Sequence, residues 1–355
     1  MTGKERVTRT IEFRGPDRIP ARIACLPAVW QMYRDDLRRL YERYDWLDDF
    51  GWWHSTDRAP GPADYDSFGD CFREGEEYTD NWGSVFHNAC GGLFGHVKGF
   101  PLADWSALPG FRAPDPTVYE ETGGPINWQA IAAGIARDGG RHYVMGGGDR
   151  LWERMHFLRG MERIMVDLAE GRPEVQQLID LIVDHNIKKV QKWLEYDVDG
   201  IHFGDDWGTQ VSLLISPALW RKYFKPAYAR EFSIVKAAGK HTWLHSDGHI
   251  LPIIPDLIEI GLDVINPQIG ANGLENLARV CKGKICVDLD LDRQGVLTFG
   301  TPADVRRHIE ESIRTLACDN GGLMFRVEFN PPAPLANIEA AFQAFTELCS
   351  NPISF

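Results

Sequence analysis

No apolar run in the chain approaches the roughly 18 residues that a membrane helix requires, and no cluster or stripe of Lys and Arg appears along its 355 residues. Together with a formal net charge of −13, this argues against a nucleic-acid or anionic-membrane partner, since both demand concentrated positive charge. A small molecule or another protein is the expected partner. Cysteine is thinly scattered: Cys25, Cys71, Cys90, Cys281, Cys286, Cys318 and Cys349 make an odd number with no CxxC spacing, which fits no disulfide framework. No secretory apolar stretch follows Met1, so the chain reads as a reduced, cytoplasmic protein. Phosphate loops are missing too. Gly146-Gly147-Gly148 is followed by no Lys-Ser or Lys-Thr and lacks the GxGxxG spacing, so it reads as a tight turn. The run Asp288-x-Asp290-x-Asp292 opens like a calcium loop, but Arg293 stands where glycine is required and Phe299 where glutamate is required, which rejects calcium.

What is present is a repeating alternation. Five short apolar runs end in acids, amides or a histidine: Gly200 to Asp206, His241 to Asp247, Asp263 to Gln268, Lys284 to Asp290 and Gly322 to Glu328. Helical periodicity separates them, in Pro217 to Ala238, Ile250 to Ile260, Leu274 to Cys281 and Pro302 to Leu316, with Pro173 to Tyr196 before and Leu335 to Leu348 after. Strands alternating with amphipathic helices predict a parallel sheet, and polar residues gathered at strand ends mark where such folds place their chemistry. The expectation is a TIM (β/α)8 barrel and an enzyme, with residues 1–355 forming a single domain. The first 140 residues differ, being rich in Trp, Asp, Gly and Pro. They predict an opening helix, a strand near Arg22 to Leu26, and a long irregular excursion. Residues 27–140 would then hold loop insertions that cover the C-terminal mouth or build a homodimer contact. Trp30, Trp46, Trp52, Trp53, Trp82 and Trp105 there either wall a ligand pocket or anchor the packing.

Alternation within the strands assigns faces, because helices cover the outside of an α/β barrel and require it to be apolar. Ile285, Val287 and Leu289 turn outward, leaving Cys286, Asp288 and Asp290 inside; Leu323, Phe325, Val327 and Phe329 leave Met324, Arg326 and Glu328 inside. Asn266 and Gln268 are read as inward, opposite Val264, and His245 and Asp247 as inward, opposite Leu244. Gly200 to Asp206 has apolar residues on both faces and leaves the choice between Asp205 and Asp206 open. The result is a ring: Asp205 or Asp206, Gln210, His245, Asp247, Asn266, Gln268, Asp288, Asp290, Arg326 and Glu328. Buried acids must be paired, metal-bound or protonated. Either Asp288 or Asp290 pairs with Arg326, or the surplus of acids over that one visible inward arginine serves a cation or a substrate. For a catalytic zinc with three protein ligands, His245 and Asp247 supply two from one strand and Glu328 a third, with Cys286 the sole cysteine near an inward strand end.

A resemblance to the uroporphyrinogen decarboxylase superfamily is carried by several blocks. They are Lys4-Glu5-Arg6-Val7 with Pro16-Asp17-Arg18-Ile19-Pro20, and Gly204-Asp205-Asp206-Trp207-Gly208-Thr209-Gln210. Ser216-Pro217 with Leu219-Trp220, Leu244-His245-Ser246-Asp247-Gly248 and Gly261-Leu262-Asp263-Val264-Ile265-Asn266-Pro267-Gln268 follow. Asp292-Arg293-Gln294, Phe299-Gly300-Thr301-Pro302 and Pro334-Leu335-x-Asn337-Ile338 close the series. The resemblance implies a TIM barrel with its site at the C-terminal mouth. True uroporphyrinogen decarboxylases carry an arginine-rich Arg-Gln-Ala-Gly-Arg element that grips an acidic tetrapyrrole; the matching stretch here runs from Pro27 to Asp36 and reads PAVWQMYRDD, which argues against a polycarboxylate. The chain more closely resembles the cobamide-dependent methyltransferases and O-demethylase components, in which a His-x-Cys pair and a later Cys bind zinc. His245 matches that histidine, Asp247 falls on the first cysteine and Glu328 near the second. Carboxylates harden the ligand set toward an oxygen or nitrogen substrate rather than a thiol.

The resemblance therefore implies methyl transfer between a small methylated oxygen or nitrogen compound and a corrinoid protein. His245, Asp247 and Glu328 would bind Zn2+ or act as general acid, with Asp206 also catalytic. Asp205, Gln210, Asn266, Gln268, Asp290 and Arg326 would contact substrate. The alternatives are a cofactor-free decarboxylase or lyase acting on a small substrate, and a non-catalytic barrel.

Overall fold

The computed structural model describes residues 1–45, 47, 49–51, 73–91, 93, 95–119 and 124–349. In chain order the first elements are α1 (Gly3–Ile11), β1 (Ala21–Cys25), α2 (Pro27–Arg43), β2 (Glu77–Thr79), β3 (Val85–His87), β4 (His96–Gly99) and α3 (Trp128–Asp138). Then come β5 (Met145–Gly147), α4 (Trp152–Arg159), α5 (Met161–Glu170), α6 (Pro173–Trp193), β6 (Gly200–Gly204), α7 (Pro217–Ala237) and β7 (His241–Ser246). The rest are α8 (Ile254–Glu259), β8 (Val264–Pro267), α9 (Ile269–Asn272), α10 (Leu274–Cys281), β9 (Cys286–Leu289), α11 (Val296–Phe299), α12 (Pro302–Leu316), β10 (Leu323–Phe329) and α13 (Leu335–Leu348).

Seven of the strands form one parallel sheet in the order β1-β10-β9-β8-β7-β6-β5. Its outward residues, among them Ile23, Ile201, Phe203, Leu244, Ile265, Val287, Leu289, Phe325 and Val327, merge with the helices into one large core. The inward set is separate. Tyr143, Met145, Trp243, Val264, Cys286 and Met324 cluster with Phe50 and with Val7 and Ile11 of α1. Residues from strands so far apart in the order can share a cluster only if the sheet curls, so the fold is a TIM-type α/β barrel with α1 across its floor. Two expectations change. Val264 points inward beneath Asn266, because residues two apart on a strand share a face, and Cys286 lies in the floor cluster rather than at the rim. An eighth strand is not found among the described residues. At that edge Phe50 makes a single parallel bridge to Tyr143, and the Arg22 guanidinium of β1 lies 4.1 Å from the Phe50 ring centre.

The excursion is less irregular than its composition suggested: β2, β3 and β4 form a small antiparallel sheet. Ser84 donates to the Phe157 carbonyl at 3.1 Å, and the Trp105 indole donates to Asp167 at 3.1 Å. These parts therefore pack on α4 and α5. Trp30, Trp82 and Trp105 are buried anchors, whereas Trp46, Trp52 and Trp53 lie outside the described residues. No helix among the described residues is long and apolar enough to cross a membrane.

Candidate active site

Parallel strands in register set the height of each rim residue. His245 of β7 lies opposite Gly204 of β6 on one side and Asn266 of β8 on the other. Its Nδ1 is 2.6 Å from the Asn266 side-chain oxygen, while the Asn266 amide nitrogen donates to the Asp288 carbonyl. With the amide oriented by that carbonyl, Nδ1 of a neutral His245 carries the proton and Nε2 presents its lone pair. Nε2 lies 3.7 Å from Asp206 Oδ1 and 3.7 Å from Asp247 Oδ1. One ligand atom from each of Asp206, His245 and Asp247 falls within 4.8 Å of the others. The two loops carrying them are stitched together: the Asp247 amide donates to Asp206 at 2.8 Å, and the Gly208 amide donates to the Asp247 carbonyl at 3.3 Å. Gly248 has φ of 77°, and a Cβ there would sit 2.1 Å from the Gly208 oxygen. The Asp247-Gly248 pair is thus what lets the β7 loop fold onto the β6 loop.

Glu328 does not join this trio. It belongs to β10, three places from β7 in the sheet order, and Arg293 stands with it. Arg293 binds both carboxylate oxygens of Asp247, at 2.5 Å to Oδ1, donates to Glu328 at 2.8 Å, and places Nε 3.4 Å from Asp290. Burial works against its charge, yet the carboxylates of Asp290, Asp247 and Glu328 hold its pKa above the usual arginine value. The structure also overturns the picture of a single inward arginine. Arg22 pairs with Asp288 at 2.7 Å, Arg293 holds Asp290, and Arg326 reaches Glu328 at 3.7 Å. Part of the apparent surplus of acid is therefore neutralised within the chain. Asp290 is an exception in part: burial pushes its carboxyl up to about 7 against the pull of Arg293, and its Oδ1 meets no hydrogen-bond partner among the described residues.

Several expected substrate contacts have other work. Asp205 is 1% exposed and turns away from the rim; it accepts from the amides of Leu151, Trp152 and Glu153 at 2.8 Å each and from the Tyr228 hydroxyl. Burial raises it to about 6. It anchors the first turn of α4, so Asp206 is the acid of that pair on the open face. Asn266 and Gln268 are buried. Asn266 orients His245, and Gln268 accepts from the Gly248 amide at 3.1 Å and from exposed Gln210 at 3.2 Å, so both position the rim from behind. Sequence reasoning missed Arg293, Arg22 and His156. His156 of α4 feels the charge of Asp206, but burial lowers it to about 4, which keeps it neutral.

Residues 143–348 match the model of the family described as Uroporphyrinogen decarboxylase (URO-D). No curated protein matches. Among solved structures, a methyltransferase from Methanosarcina mazei is similar over 98% of this chain and 99% of its own, at 15% identity and a TM-score of 0.68. A dihydropteroate synthase from Coxiella burnetii, in complex with pteroic acid, is similar over 57% of this chain and 67% of its own, at 13% identity and a TM-score of 0.33. A B12-independent methionine synthase from Shewanella sp. W3-18-1 is similar over 59% and 62%, at 12% identity and a TM-score of 0.37. At these identities the likeness is one of fold, and only the first extends over the whole chain.

Proposed function

This chain belongs to the uroporphyrinogen decarboxylase family, and on that premise we propose that it is a methyltransferase-like enzyme. It would move a methyl group between a small methylated oxygen or nitrogen compound and a corrinoid protein, as an O-demethylase component does. The observation that carries this reading is the trio at the rim: an imidazole whose Nε2 lies 3.7 Å from both the Asp206 and the Asp247 carboxylate, with one ligand atom of each residue within 4.8 Å of the others. Three such donors match the ligand chemistry of a catalytic zinc, and the Asn266 bond behind His245 is the support a ligating imidazole needs. Asp206, His245 and Asp247 are then the residues that would hold the ion, with Asp206 in the place first given to Glu328. Bound there, zinc supplies Lewis-acid polarisation of the methyl-bearing heteroatom.

The remaining groups act around it. When the oxygen–methyl bond breaks, the oxygen leaves with the bonding pair and needs a proton. Asp290 retains one up to about pH 7, held behind Arg293. Gln210 and Arg326 would serve at the same rim as substrate contacts. PAVWQMYRDD in place of an arginine-rich grip removes the means of holding a polycarboxylate, which favours a small substrate.

The test is to add a reduced corrinoid protein and a panel of methyl ethers and methylamines, reading methylcorrinoid formation from its visible spectrum. Methyl transfer with one of the panel is expected, and His245→Ala should lower it by about 100-fold or more. Carbon dioxide release from a carboxylated substrate without any corrinoid would replace this reading with that of a decarboxylase.

A further inference from the structure

Asp247 is claimed from two directions at once. Its Oδ1 lies 3.7 Å from His245 Nε2, on the side where an ion would enter, and 2.5 Å from Arg293 Nη2 on the other. A zinc ion bonded to that oxygen sits about 2.0–2.2 Å from it, so both cations would crowd one carboxylate atom. Arg293 cannot leave the neighbourhood easily: its side chain is 10% exposed and it also holds Glu328 and Asp290. Those two acids offer it a place to fall back to. Resting on the metal part of the proposed function, we infer that Arg293 is a displaceable internal cation that excludes a divalent metal from Asp247. Metal entry requires the guanidinium to withdraw from Asp247 onto Glu328 and Asp290. Because such coupling is reciprocal, metal occupancy and the Arg293–Asp247 pair oppose each other.

The experiment is a calorimetric titration of the full-length chain with Zn2+ alone, at fixed pH and salt and with neither substrate nor corrinoid. Arg293→Gln leaves Asp247 without its counter-charge, and the variant is expected to bind zinc about tenfold more tightly than the wild type or more, coupling of that size being ordinary between linked sites. Arg293→Lys, which keeps charge but loses the fork, should fall between them. Affinity in Arg293→Gln equal to or weaker than wild type overturns the inference, as does failure of both to bind. If Arg293→Gln does not fold, the ranking of Arg293→Lys against wild type decides in the same way. Asp206→Asn and His245→Ala separate the two proposals. If they lose zinc while the arginine variants do not differ from wild type, only the displacement idea fails. If they bind like wild type, the ion sits elsewhere and the site itself is refuted with it.

Discussion

At the scale of single residues, chemistry follows from what each carboxylate faces. Asp288 faces Arg22, Asp247 faces Arg293, and Asp290 has one oxygen near Arg293 and the other without a partner. Burial raises Asp290 from the ordinary value of 3.8 to about 7. The native state therefore binds a proton more tightly than the unfolded chain does. Its contribution to stability is fully present below about pH 4 and is lost as pH climbs through about 7. Asp205, raised to about 6, acts with the same sign. Asp290→Asn, fixed in the neutral form, should flatten the fall in melting temperature between pH 4 and pH 7; an unchanged slope would mean that Asp290 is ionised across that range. Parity along β7, β9 and β10 made the inward acids and His245 legible from sequence alone. Parity says nothing about height or about residues past a strand end, which is why Glu328 was grouped with His245 and why Arg293, three residues beyond Asp290, escaped notice. The sequence showed Arg293 only in the Asp292-Arg293-Gln294 block and as the residue that breaks a calcium-loop pattern.

At the scale of elements, boundaries were readable wherever local chemistry enforced them. Proline stands in the first turn of α6, α7 and α12, with Ser216 and Thr301 capping the latter two, and these helices begin where the pattern placed them. Helix α4 is different because its N-terminus has no side-chain cap of its own. Three of its first amides are satisfied from the end of β6 by Asp205, a partner more than fifty residues away that no local pattern reveals. Both faces of β6 being apolar, sequence left Asp205 and Asp206 indistinguishable; this long-range cap is what divides them. Asp205→Ala should cost about 2–4 kcal/mol in urea unfolding, the loss of a cap plus buried donors left unmet. A cost below 1 kcal/mol would show that the amides find another partner.

At the scale of the whole molecule, the parallel sheet and its curling into a barrel were legible from five repeated strand endings, whereas the way the β1–β5 edge is bridged was not. Among the described residues the backbone pairing found at the β1–β5 edge is the bridge between Phe50 and Tyr143, too short to leave a strand signature. Side chains inside the barrel take over what backbone pairing does elsewhere. Arg22 reaches from β1 past β10 to Asp288 of β9 at 2.7 Å, and lies over Phe50 at 4.1 Å and Trp243 at 5.8 Å. It thus ties the seam to the sheet just beneath the rim that carries His245. Among the described residues its Nε and Nη1 have no hydrogen-bond partner, and its charge meets the Asp288 carboxylate and the Phe50 and Trp243 ring faces. Arg22→Met would strip Asp288 of that arginine deep in the barrel, at a cost of about 3–5 kcal/mol. Arg22→Met with Asp288→Leu removes both charges and should recover most of the loss, since a buried pair replaced by apolar groups is often near neutral. A double-mutant cycle by urea unfolding measures the coupling directly. If the double variant is as unstable as the single one, Arg22 holds the seam by packing on Phe50 and Trp243 rather than by neutralising Asp288.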